Sequence, residues 1–153
     1  MKTQRETLII RHWDKKTELL KPLVLMQQPE GWIHTLRTTL NMSLRQLGER
    51  LNITPQSVRD IEQREKEGTV TINTLKAAAG AMDMQFVYGL VPKDESLEKM
   101  VERRAYEMAS KIVHRASTTM RLENQENSPE RIEEAIRELA YDIKREMPKK
   151  LWD

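Results

Sequence analysis

The chain has 153 residues and a net charge of only +2, so it is sized for one domain or a small domain with extensions, and bulk charge alone cannot bind it to a polyanion. Cysteine is absent, which excludes disulfides and thiolate metal sites and fits a reducing cytoplasm. No apolar run reaches membrane-spanning length, no secretory leader pattern stands at its start, and a single Phe predicts a modest core with long solvated helices.

Residues 1–28 carry Leu8, Ile9, Trp13, Leu19, Leu20, Leu23 and Leu25 at roughly helical spacing, with Arg11, Lys15 and Lys16 outward. They hold six Lys/Arg against three Asp/Glu, whereas residues 29–91 balance at seven each. Such an extension packs on the core, grips a second protomer or lays its basic face on a nucleic acid. Trp13 and the leucines need burial, which favours packing. Residues 27–31 then break the pattern at Pro29 and Gly31. Trp32, Ile33, Leu36 and Leu40 predict a helix beneath the next element, with Arg37 on its solvated side.

Residues 43–62 carry the densest set of positional signals. Ser43 caps a helix whose apolar face is Leu44, Leu47 and Leu51. Gly48 stands where a second helix would cross, and Asn52 suits a left-handed turn residue. Ile53 plugs the turn. Thr54 caps the second helix, Pro55 takes its first position, and Val58 and Ile61 face inward. The outward residues are Gln56, Ser57, Arg59 and Gln63, side chains able to reach base edges and phosphates in a major groove. With Arg45, Thr54 and Arg64 they form the predicted DNA-binding set.

Residues 63–68 read as a charged loop ended by Gly68, and Thr71 or Asn73 caps a helix carrying Leu75, Ala78, Ala79 and Met82. Residues 84–91 are β-branched and aromatic and stop at Pro92, which predicts one short strand. A lone strand pairs with its copy in a second protomer, with a partner's edge, or with part of the first segment. Beyond it, Leu97, Met100, Val101, Ala105, Met108, Ile112, Val113 and Ala116 form an apolar helical stripe. Its use as internal packing and as a partner surface are equally open. Ser128 and Pro129 begin a last helix with Ile132, Ile136, Leu139, Ile143 and Met147 inward, and residues after Pro148 read as a tail.

No catalytic constellation stands out. His12, His34 and His114 lack metal-ligand spacing, no Gly-rich phosphate loop is present, and Glu133 and Glu134 fall on a charged helix face. The expectation is no enzyme activity, no metal and no cofactor.

Residues 31–92 resemble the Cro and lambda-repressor-like (XRE) family. Ile61 and Glu62 match its usual Ile-Glu, and residues 75–79 match its following helix. Leu44 departs from the Gln that many members use to brace the recognition helix on a phosphate. The resemblance implies a mainly α fold. Its parts would be an N-terminal helical extension (1–28), a helix-turn-helix domain ending in a short strand (29–92) and a region of two C-terminal helices (93–153).

Over nearly its whole length, most specifically at residues 29–33 and 87–92, the chain also resembles the family called mobile mystery protein A. Members are associated with a neighbouring protein carrying a Fic domain, which transfers AMP to target proteins. Many Fic toxins are held in check by a helix of pattern Ser/Thr-x-x-x-Glu-Gly/Asn. Here Thr119, Glu123 and Asn124 match it, with Thr119 and Glu123 on one helix face. The resemblance implies a cytoplasmic bacterial antitoxin, a homodimer whose partners are operator DNA and a Fic-domain toxin, with Glu123 taking the arginine that would otherwise hold the nucleotide γ-phosphate. The alternatives are a DNA-binding regulator whose C-terminal helices only dimerise, and an adaptor without DNA binding.

Overall fold

The computed structural model describes residues 2–122 and 128–153. They form helices α1 (Lys2–Glu18), α2 (Lys21–Leu25), α3 (Trp32–Thr39), α4 (Leu44–Leu51), α5 (Pro55–Glu67), α6 (Ile72–Ala81), α7 (Leu97–Leu122) and α8 (Pro129–Glu146), followed by a 3₁₀ turn (Lys149–Trp152). The chain divides into two compact units, residues 22–89 and residues 1–21 with 90–153.

The unit of residues 22–89 has its core at Ile33, Leu47, Val58, Ala78 and Met82, edged by Leu36, Leu44, Leu51, Ile53, Ile61 and Leu75. Local chemistry starts and stops its helices. The Ser43 hydroxyl accepts from the Gln46 amide N–H at 3.1 Å, and the Gln46 side chain accepts from the Ser43 N–H at 2.8 Å. This reciprocal pair satisfies two donors that a helix start leaves free. Thr54 and Thr71 cap α5 and α6 in the same way, each hydroxyl accepting from the amide three residues on. Asn52 ends α4 at φ 55°, and Gly68 ends α5 at φ 81°.

The other unit is built on α7 against α8. Val101, Ala105, Ala109, Ile136, Ile143 and Leu151 are buried, with Ile10 of α1 packed on them. The Asp14 carboxylate of α1 accepts from the Leu97 and Glu98 amides at 2.7 and 3.2 Å and so caps α7 from 83 residues away in sequence. Lys144 of α8 donates to Glu98 at 3.1 Å and Glu102 at 2.7 Å. Burial opposes the Lys144 charge, yet the two carboxylates hold its pKa above the ordinary value.

Several expectations are corrected here. No strand occurs among the described residues, and residues 85–91 are irregular. Their β-prone side chains say nothing about a pairing edge, and without one an extended segment has no ladder. Phe86 and Tyr88 stack on each other instead, ring centroids 5.7 Å apart. Residues 63–67 are the last turns of α5 rather than a loop, since Gln63 donates to Glu67 at 2.7 Å and Gly68 supplies the stop. The end of the chain is no free tail: Leu151 is buried, and Arg104 donates to its carbonyl at 3.0 Å. In α1, Ile10 is the residue that packs, while Leu8, Ile9 and Trp13 are exposed and Lys16 lies over the Trp13 ring at 4.7 Å. The stripes of residues 97–116 and 132–147 are spent largely on each other.

Candidate nucleic-acid interface

Two helices and the turn between them define the site. A Cβ on Gly48 would lie 2.7 Å from the Ile53 carbonyl oxygen, so only glycine allows α4 this close to the turn. Ile53 donates its N–H back to the Gly48 carbonyl at 2.9 Å, closing the left-handed turn at Asn52. These contacts set where α5 leaves the turn.

Beneath α5, the carboxylate of Glu62 anchors the helix to α3. Both Glu62 and Arg37 are 8 % exposed. The Arg37 guanidinium spans both Glu62 oxygens, with Nη2 at 3.2 Å from Oε2, while Nη1 donates to the Met42 carbonyl at 2.8 Å. His34 Nδ1 lies 3.0 Å from Glu62 Oε2, which places its ring proton there. Burial alone would raise the Glu62 pKa, but the hydrogen bonds from Arg37 and His34 prevail and hold it below the ordinary value. Arg37 is thus a buried anchor, not the solvated residue that the helical pattern of α3 predicts. Glu65, one turn on, accepts from the Ile33 N–H at 2.9 Å and caps α3. Among the described residues no buried side-chain nitrogen or oxygen lacks a partner.

With Val58, Ile61 and Glu62 turned in, 3.6 residues per turn put Gln56, Asp60, Gln63 and Glu67 along the outward midline of α5. Arg59 and Arg64 flank that line, both exposed, and among the described residues neither guanidinium has a hydrogen-bond or ion-pair partner. Gln56 Nε2 donates to Asp60 Oδ1 at 3.1 Å. Lys66 is tied to Glu30 at 3.1 Å.

Of the predicted DNA set, Gln56, Arg59, Gln63 and Arg64 share this exposed surface. Thr54 and Ser57 are occupied with capping, their hydroxyls 2.9 Å apart. Arg45 lies on α4, exposed and 3.4 Å from Glu49. Asp60 and Glu67 were missed, although their i, i+4 spacing from Gln56 and Gln63 is visible in the sequence. Thr119 is exposed on α7, its hydroxyl donating to the Arg115 carbonyl at 3.1 Å, whereas Glu123 and Asn124 lie outside the described residues. No group of acidic and histidine side chains suited to a metal, and no helix long and apolar enough to cross a membrane, occurs among the described residues.

The turn at Asn52, the glycine crossing and the outward α5 define a helix-turn-helix. Residues 33–88 match the family model described as Helix-turn-helix and form an XRE-like domain of that kind. No curated protein and no solved structure matches the chain.

Proposed function

We propose that the chain is a transcriptional regulator that lays α5 in the major groove of an operator. The observation that carries this reading is the match of residues 33–88, whose second helix turns Gln56, Arg59, Gln63 and Arg64 to solvent. Arg59 is suited to guanine or phosphate because its guanidinium has no hydrogen-bond or ion-pair partner among the described residues. Arg59→Ala should weaken operator binding by about 1–3 kcal/mol and leave the fold intact. Unchanged affinity in a gel-shift titration on the chain's own promoter would remove α5 as the reader.

The finer reading is an antitoxin that also silences a Fic-domain toxin and works as a homodimer. Support comes from the resemblance to mobile mystery protein A and from Thr119, exposed where an inhibitory helix would present it. Glu123 then occupies the toxin's arginine, a charge-assisted contact that glycine cannot reproduce. Ile112 and Tyr141 are exposed apolar side chains of α7 and α8 available to such a partner. Glu123→Gly should still co-purify with the Fic protein, yet the complex should transfer AMP and arrest growth. A variant complex as silent as the wild type would leave inhibition to occlusion of the target site. For the homodimer, support comes from Val87 and Tyr88, apolar and aromatic side chains left exposed beside the helix-turn-helix. A monomer mass by light scattering, unchanged on adding DNA, would exclude it.

A further inference from the structure

The outward midline of α5 carries two carboxylates, Asp60 and Glu67, where a helix built only to attract phosphate would carry none. They offset the two flanking arginines, so this face supplies little sequence-independent attraction. A carboxylate brought into a major groove loses water and must find a donor there. The only donors on that floor are the exocyclic amino groups of cytosine and adenine. Adenine presents its N7 acceptor beside the amino group and repels a carboxylate, whereas cytosine presents only C–H there.

Asp60 is the better placed of the two, because it sits near the N-terminal half of α5, the part of a recognition helix that reaches base edges. One of its oxygens holds the Gln56 amide at 3.1 Å, which leaves the other free and fixes which way the amide faces. Gln56 then keeps its oxygen and one N–H for a neighbouring base.

Resting on the DNA-reading role proposed above, we infer that Asp60 is a specificity-determining residue that accepts a hydrogen bond from a cytosine amino group in each half-site and fixes the Gln56 amide beside it. It lowers affinity for wrong sequences as well as raising affinity for the right one, which is how discrimination is gained without net charge.

Site selection from a randomised duplex library tests this with the full chain, Asp60→Asn and Asp60→Ala. The wild type should enrich sites with a fixed cytosine. Asp60→Asn should lose that cytosine or exchange it for adenine, which Asn reads bidentately, and should bind the wild-type site at least about fivefold more weakly. Asp60→Ala should bind random duplex about threefold more tightly, since a charge facing the phosphates has gone. Both substitutions sit on an exposed face, and unchanged helical circular dichroism would certify their folds. If Asp60→Asn enriches the same site with the same affinity, Asp60 reads nothing while α5 still binds DNA. If the wild type enriches no sequence, the DNA-reading role itself falls, and this inference with it.

Discussion

The two units solve the same problem, how to end and hold helices, at different ranges. In residues 22–89 the caps of α4, α5 and α6 are local: Ser43, Thr54 and Thr71 serve amides three residues away. In the other unit α7 starts on Asp14, 83 residues upstream, and the chain end is held by Arg104. The first unit is also anchored by a buried ion pair, Arg37 with Glu62, while the second relies on part-exposed ion pairs around Lys144. Local capping fixes a recognition helix independently of the rest of the chain. Long-range capping makes the helical unit depend on segments from both ends of the chain.

The comparison is broken most severely at Glu62. Glu62→Ala strands the Arg37 guanidinium in the interior and should cost about 3–5 kcal/mol, read from urea denaturation. Replacing Arg37 by Met as well should recover much of that loss, because an apolar pair needs no compensation. The pair also carries a pH signature. The folded pKa of Glu62 is depressed below its ordinary 4.5, so the folded state binds the proton less readily than the unfolded chain. Its contribution is therefore complete above that ordinary value and is lost as pH falls through the folded one. The stability gap between wild type and Glu62→Gln should narrow on acidification from about pH 7 to about pH 3. A gap that stays constant would mean that Glu62 is not the ionised anchor.

Gly48→Ala comes next. Its methyl group would meet the Ile53 carbonyl at 2.7 Å, and backbone does not yield as a flexible side chain does. A loss of about 1–3 kcal/mol is expected from such crowding. Operator affinity should fall further than stability does, since the crossing sets the position of α5. Equal affinity after correction for the folded fraction would show that α5 is positioned from elsewhere, with the Glu62 anchor the first candidate.

How far the chain was legible follows the same division of range. Ser43, Gly48, Asn52, Thr54 and Pro55 lie within one short stretch, and each imposes a conformation on its neighbours, so the helix-turn-helix could be read directly. Arg37 could not, because its partner lies 25 residues on and α3 alone shows it as one more polar position. Residues 63–67 looked like a loop because charge marks solvent and not conformation; the i, i+4 pair of Gln63 with Glu67 was the signal that they remain helical. The strand over residues 85–91 was an inference from side-chain type about a backbone partner, and propensity carries no such information. The face of α5 was legible through its periodicity, but reading only its cationic and amide members hid Asp60 and Glu67 in between.

The smallest effect belongs to the long-range cap, and it sharpens the comparison best. Asp14→Ala removes both acceptors from the Leu97 and Glu98 amides, leaving only Ser96, which accepts from Lys99 at 3.0 Å, to serve the α7 start. A lost cap costs about 0.5–2 kcal/mol, and Thr54→Ala at the α5 start should fall in the same range. What separates them is where the loss is felt. Thr54→Ala frays α5 and should weaken DNA binding, with amide exchange quickened in residues 56–58. Asp14→Ala unties α1 from α7, so exchange should quicken both at residues 97–100 and along α1, while the amides of residues 56–67 keep their protection. If Asp14→Ala quickens exchange only at the first turn of α7, the carboxylate is a cap and nothing more, and α1 is held by its other contacts, among them Ile10 and the Arg11–Glu98 ion pair.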